Sequence, residues 1–301
     1  MIDLRRVALI PLLLLALAAK LEAASCFIQS VTPVTFGDYS VFSPGPLDIA
    51  GSLTIVCTPG TAATIYLSTG SSGTYAMRTM RSGAEVLDYN VYLDATRTVV
   101  FGNGSGGTGT AVFNVPPGPP GPSEDLEAMI QFYGRVFPLD DVAAGLYSDS
   151  LVITIDWTER SVTTTLPVSA NVLSECLVSA SDLDFGSYDP IGANAAAPLL
   201  ADATLSVFCT RGTTASIGMN LGTSAVAGQR FMTGPGSQLA YGLFQDAARS
   251  QPWSLTSSMT ASSSSKDVPV GNGLLIHGSI PGAQDAVAGN YVDTVQAVVN
   301  Y

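Results

Sequence analysis

Four cysteines, Cys26, Cys57, Cys176 and Cys209, carry the most specific chemistry in this 301-residue sequence. A thiol quartet commonly forms either a zinc cage or two disulfides. Structural zinc cages are built on close C-x-x-C spacing, which is absent here, and the one histidine, His277, brings no partner motif. The spacings favour local pairs instead: 31 residues separate Cys26 from Cys57, and 33 separate Cys176 from Cys209. Two such disulfides, Cys26–Cys57 and Cys176–Cys209, contribute roughly 3–4 kcal/mol each by restricting the unfolded chain. Other reactive-looking residues offer less. Asp140 and Asp141 are adjacent, so they point to opposite sides of a strand or share a turn. Carboxylates paired for hydrolysis must converge across a fold, which adjacency does not supply. "GNGSGG" (102–107) matches a dinucleotide-loop pattern, but no helix follows and no βαβ unit surrounds it, so it reads as a flexible turn. Catalytic, metal and cofactor sites are therefore expected to be absent.

Disulfides imply export, and the N-terminus agrees. Arg5 and Arg6 precede the apolar run "VALIPLLLLALAA", too short and too soon followed by polar residues for a spanning helix. Residues 1–24 read as a signal peptide, with cleavage after Ala18 or as late as Ala24. The net charge of −12 repels nucleic acid and anionic membrane surfaces. Because only 12% of residues are charged while 47% are hydrophobic, Ser, Thr, Gly and Asn must solubilise the surface. With 30 Gly and 18 Pro, that mixture suits strands and turns more than helices.

The chain then repeats itself. "CFIQSVTPVTFGDYS" (26–40) matches "CLVSASDLDFGSYDP" (176–190), and "LTIVCTPGTAATIYL" (53–67) matches "LSVFCTRGTTASIGM" (205–219). "YNVYLDATRTVVFG" (89–102) matches "YGLFQDAARSQPWS" (241–254), which sets Asp94 against Asp246 in a structural, hydrogen-bonding role. "GLYSDSLVITIDW" (145–157) matches "GNYVDTVQAVVNY" (289–301) without a gap. A repeat this long is a domain duplication. Its segments alternate: Leu151, Ile153, Ile155 and Trp157 face one way and Val152, Thr154 and Asp156 the other. Short alternating segments punctuated by Gly and Pro predict an all-β protein of two immunoglobulin-like antiparallel sandwiches, over 25–174 and 175–301.

One segment lacks a counterpart. In "TTTLPVSANV" (163–172), Leu166, Val168, Ala170 and Val172 form one apolar face, and Pro167 argues for a sheet edge. This strand is expected to pair with 150–157 and complete the first sandwich. Nothing follows the matching strand at 289–301 in this sequence, so the second sandwich is expected to be incomplete. Its strand would present Val295, Ala297, Val299 and Tyr301 to an open groove, a hazard unless a partner strand covers it. The competing expectation is that the Ser-rich stretch 255–270 folds back and fills the place.

The Cys–FG–Y openings, "CTPGT"/"CTRGT", "YNVYLDATRTVVFG" and the G-x-Y-x-D-[ST] strands resemble the spore coat protein U domain, the pilin-like module of archaic, Csu-type chaperone–usher pili. "YGR" (133–135), typical of that family, stands in the first copy only, with "IHG" (276–278) assigned to its place in the second. The resemblance implies an incomplete immunoglobulin-like fold, with a periplasmic chaperone, an outer-membrane usher and an adjacent pilin subunit as partners. Family pilins carry an N-terminal donor extension resembling 163–172; here that segment lies inside the chain. A subunit that accepts a strand and gives none sits at a fibre end, so the resemblance implies a tip adhesin exported to the cell surface, active in attachment and biofilm formation. A non-adhesive adaptor or initiator, a free-standing secreted binding protein and a secreted hydrolase are the alternatives.

For the adhesive surface, the loops 58–60, 102–126 and 158–161 are expected at the pole of the first sandwich facing away from the second. The longest contains Val112, Phe113, Val115, Pro116, Pro117, Pro119 and Pro120, expected to form a stiff apolar finger that meets abiotic or host surfaces.

Overall fold

The structure is a computed structural model that describes residues 24–118, 124–158 and 160–301. The expected signal peptide lies, but for Ala24, outside the described residues, as do Pro119 and Pro120. Among the described residues the regular elements are strands and two short 3-10 turns, and no helix is long and apolar enough to cross a membrane.

The first copy contributes β1 (Cys26–Val31), β2 (Val34–Tyr39), β3 (Leu47–Cys57), β4 (Ala62–Leu67), β5 (Arg78–Ser82), β6 (Glu85–Tyr92), β7 (Ala111–Asn114), β8 (Leu126–Val136), β9 (Gly145–Trp157) and β10 (Arg160–Val172). Hydrogen bonding runs β1-β3-β8-β6-β5-β9-β10-β2, with β4 joining β9 to β7. The link between β5 and β9 is a single pair, Arg81 with Ser148, so the strands curl into two layers. Period-two alternation decides what lies between those layers. Leu53 and Ile55 of β3, Ile65 and Leu67 of β4, and Leu151, Ile153 and Ile155 of β9 are fully buried.

The second copy contributes β11 (Cys176–Ala180), β12 (Leu199–Cys209), β13 (Thr214–Met219), β14 (Arg230–Thr233), β15 (Gln238–Phe244), β16 (Met259–Ser262), β17 (Leu274–Ile280) and β18 (Ala297–Asn300). They form a five-stranded sheet, β11-β12-β17-β15-β14, and a three-stranded sheet, β16-β13-β18. The disulfides Cys26–Cys57 and Cys176–Cys209 each join the first strand of a copy to its long neighbour in the same sheet, β1 to β3 and β11 to β12.

A buried arginine ties the layers together in each copy. Arg78 donates to the carbonyls of Ser68 (2.8 Å) and Phe101 (2.6 Å) and to Asn90 Oδ1 (2.6 Å). Arg230 donates to the carbonyls of Asn220 (2.6 Å) and Trp253 (2.8 Å). Satisfying a buried guanidinium with carbonyl dipoles avoids the cost of an unpaired buried charge. Asp94 and Asp246 close matching turns: Asp94 accepts from the backbone of Thr98 and Val99, and Asp246 from that of Ser250 and Gln251. His277 lies on β17 and hydrogen-bonds Asp202 through Nδ1 (2.7 Å), a packed histidine of the sheet.

The copies touch at one end of the first. Glu85 and Asp141 face Arg211, Asp141 accepts from the Lys266 backbone (3.0 Å), and Thr210 Oγ1 donates to the Leu173 carbonyl (2.9 Å). Asp140 instead accepts from the Asp88 backbone, so the adjacent carboxylates diverge to separate structural bonds.

A candidate strand-acceptor groove in the second copy

β10 is the element that separates the copies. Over thirteen residues it pairs antiparallel with β9, setting Leu166 opposite Leu151, Val168 opposite Asp149 and Ala170 opposite Tyr147. Leu166, Val168, Ala170 and Val172 are all buried in the first core. From Val168 onward β2 runs parallel along its other side. The edge expected from Pro167 is therefore correct only for 160–167: a proline cannot donate to a ladder, and β2 begins just beyond it.

Among the described residues the second copy has no counterpart of β10, and the strands that would flank it unravel. β2 matches residues 183–188, which form no strand. The thirteen residues of β9 match 289–301, of which only Ala297–Asn300 are strand. Both losses have one physical cause. β2 pairs with β10 alone, and the first half of β9 is held mainly by β10, so without that partner neither ladder has a second side. The backbone N–H groups of Tyr291, Asp293 and Val295 donate to no described residue. Unpaired groups of this kind beside apolar side chains are what an incoming strand satisfies.

Between 181–185 and 291–297 lies a groove of about 450 Å³, floored by Leu205, Met219, Tyr241, Leu243 and Ile276. Its walls are held in place despite lacking strands. The Tyr188 hydroxyl donates to the Pro281 carbonyl (3.0 Å) and accepts from the Gln284 backbone (2.9 Å). Tyr39 makes the matching pair of bonds in the first copy, to Phe137 and Asp140, and burial pushes its hydroxyl up to about 12. On the opposite wall Asp293 accepts from the Tyr241 hydroxyl (2.6 Å) and from the backbones of Thr223, Ser224 and Thr294. Burial raises the Asp293 carboxyl, but those hydrogen bonds outweigh it and leave the group below the usual carboxylate value.

Val295 and Ala297 line this groove, whereas Val299 and Tyr301 do not. Val299 packs toward the core opposite Ile217, and Tyr301 is 59% exposed. The reason lies in β10: its apolar half faces the first half of β9, so the vacant place falls beside 289–295 rather than at the strand's end. The sequence reading missed Leu183, Phe185 and Tyr291, though Phe36/Phe185 and Tyr147/Tyr291 already matched across the repeat. The Ser-rich stretch does not fill the groove. Its residues 259–262 form β16 on the far side of β13, the counterpart of β7.

Of the loops expected to be adhesive, 58–60 lies beside Val115 and Pro116, whereas the start of 102–126 lies at the other end of β7, where Leu67 donates to the Gly102 carbonyl. Gly60 donates to the carbonyls of Val115 and Pro116, and Trp157 Nε1 donates to the Ala24 carbonyl (2.9 Å). The apolar finger is a correction. Residues 111–114 are strand β7, paired with β4, which carries Val115 into the core and packs Phe113 against it. Of the expected finger residues, Val112 (60% exposed), Pro116 and Pro117 reach solvent among those described. A second correction concerns "YGR". The Arg97 guanidinium donates to the Gly134 carbonyl and Arg249 to that of Gly278, so Gly134 matches Gly278 and "HGS" takes the place given to "IHG".

Among the described residues no three His, Cys, Asp or Glu side chains gather as a metal set. What the architecture defines is a duplicated, disulfide-linked immunoglobulin-like β protein with one complete and one open copy. The Spore Coat Protein U domain matches the sequence twice, at residues 13–154 and 162–298, and the chain belongs to that family. Protein U of Myxococcus xanthus is 31% identical over 174 residues, 53% of this chain and 96% of that protein. A solved chaperone–tip adhesion subunit pre-assembly complex from the archaic chaperone–usher Csu pili of Acinetobacter baumannii contains a similar fold. The TM-score is 0.51 at 14% identity, covering 92% of this chain and 100% of that one. The CupB6 tip adhesin of Pseudomonas aeruginosa aligns over 92% of each chain at a TM-score of 0.35 and 11% identity.

Proposed function

We propose that this protein is the tip subunit of a chaperone–usher pilus, joined to its fibre by a donor strand that enters the groove of the second copy. The observation that carries the reading is the contrast between the copies: β10 fills the first, and the same place in the second is an apolar trough edged by unpaired N–H groups. Such an edge is unsafe alone, so a periplasmic chaperone holds it until an adjacent subunit's strand replaces the chaperone at the usher. The likeness to a tip adhesion subunit over both copies supports the terminal position. With β10 used internally, the distal end of the first copy is free to meet an abiotic or host surface, with Val112, Pro116 and Pro117 exposed there. The role is structural and adhesive, serving attachment and biofilm formation.

The test appends a second copy of residues 161–173 after Tyr301 through a short flexible linker. The graft is expected to raise the unfolding midpoint of the second copy and to keep the chain soluble without a chaperone. An unchanged midpoint would remove the acceptor reading. For adhesion, Val112→Asp with Pro116→Asp leaves the core intact and is expected to abolish attachment by cells that still display fibres. Unchanged attachment would make the subunit a non-adhesive adaptor.

A further inference from the structure

The groove is not a replica of the space β10 occupies, and the difference specifies the incoming strand. In the first copy Ile153 and Leu151 are fully buried and lie opposite Thr164 and Leu166 of β10. Their matches in the second copy are Ala297 and Val295, both lining the groove. A branched four-carbon side chain has become a methyl, and a leucine has become a valine.

Elsewhere the two cores exchange volume in compensating pairs. Gly51 lies opposite Phe132, whose ring occupies the space a β-carbon would take, and the matching cross-strand pair is Ala203 with Ile276. Small with large has become medium with medium, as close packing demands. No such exchange attends Ala297. Its cross-strand neighbour is Met219, which matches Leu67, a side chain of similar size, and both Met219 and Ala297 face the open trough. Leu243, which stands where the first copy has Val91, returns a single methylene to the groove floor, less than the change from Ile153 to Ala297 removes.

We infer that the groove selects a donor strand from a partner subunit that is bulkier than this chain's own β10 at the Thr164 position. The partner is an extended segment with alternating apolar residues in the β10 register. It carries a large aliphatic or aromatic side chain where β10 has Thr164, followed two residues later by one at least as large as Leu166. The chain's own β10 then fits its own copy and underfills the other, so the two copies avoid competing for one strand, a size-based form of specificity. The inference rests on the acceptor reading above and refines it.

The experiment compares two grafts after Tyr301, residues 161–173 unchanged and the same segment with Thr164→Leu, and sets beside them Thr164→Leu in the native β10. Thermal unfolding is followed by Trp253 fluorescence for the second copy and Trp157 fluorescence for the first. The Leu graft is expected to raise the second copy's midpoint several degrees beyond the unchanged graft. In native β10 the same change meets Ile153 and is expected to stabilise the first copy less or to lower its midpoint. Equal midpoints for the two grafts, or a larger gain in the first copy, would overturn the size preference while leaving the acceptor reading intact. No stabilisation by either graft would overturn the acceptor reading itself. Should a graft aggregate, synthetic 161–173 peptides with Thr or Leu at that position, titrated against the unmodified protein, decide the same point. Tighter binding of the Leu peptide supports the preference, and equal or weaker binding refutes it.

Discussion

Phe36 and Phe185 offer a direct measure of what a missing strand costs. They are the same residue at the same repeat position, and their immediate surroundings agree closely. Phe36 meets Tyr89 edge-on at 6.2 Å and lies over Gly134; Phe185 meets Tyr241 edge-on at 6.3 Å and lies over Gly278. The aromatic contact, worth about 0.5–1.5 kcal/mol, therefore cancels in a comparison. What differs is the cover. Phe36 sits on β2, fixed by β10 and buried; Phe185 sits on a wall without a strand and lines the open groove. Truncating a fully enclosed phenylalanine costs about 3–5 kcal/mol, part of it for a cavity that cannot collapse. Phe185 already meets water, and its strandless segment can settle inward, so Phe185→Ala is expected to cost only about 1–3 kcal/mol. The difference, about 2 kcal/mol, is the contribution of the cover that β10 provides. Urea unfolding measures it, with Trp157→Phe isolating Trp253 as the reporter of the second copy and Trp253→Phe isolating Trp157 for the first. In the grafted chain the Phe185→Ala cost should rise toward that of Phe36→Ala. Equal costs in the unmodified protein would refute the argument that the second copy lacks a layer.

Three further outcomes follow from the same geometry. The Asp293 carboxyl is held below its unfolded value, so its contribution is complete above about pH 4 and is lost as pH falls through the folded pKa. Acid titration of the Trp253 transition should show this loss, and Asp293→Asn should flatten it. Arg78→Met leaves the carbonyls of Ser68 and Phe101 without their buried donor and is expected to cost about 2–4 kcal/mol in the first copy, read by denaturant midpoint. Replacing Cys176 and Cys209 by Ser should cost about 2–5 kcal/mol and act on the second copy, with the Trp157 transition unmoved.

The sequence by itself determined much of this protein. Cysteine spacing fixed both disulfides, because two thiols 31 or 33 residues apart on neighbouring strands of matching segments have few other partners. Period-two alternation marked Leu166, Val168, Ala170 and Val172 as a buried face, and the repeat left them without a match among residues 175–301. These are local or self-comparing signals, written in the order of residues. Tertiary structure alone decided the rest. Phe113 and Val115 read as an exposed finger until β7 paired with β4, a partner some fifty residues earlier that no local pattern names. Val299 and Tyr301 read as groove residues until the register of β10 on β9 placed the vacancy beside 289–295. The buried guanidiniums of Arg78 and Arg230 carry little sequence signal, since apart from Asn90 their partners are backbone carbonyls, which every residue possesses. Alternation says which side of a strand is apolar; only the assembled sheets say which side is covered.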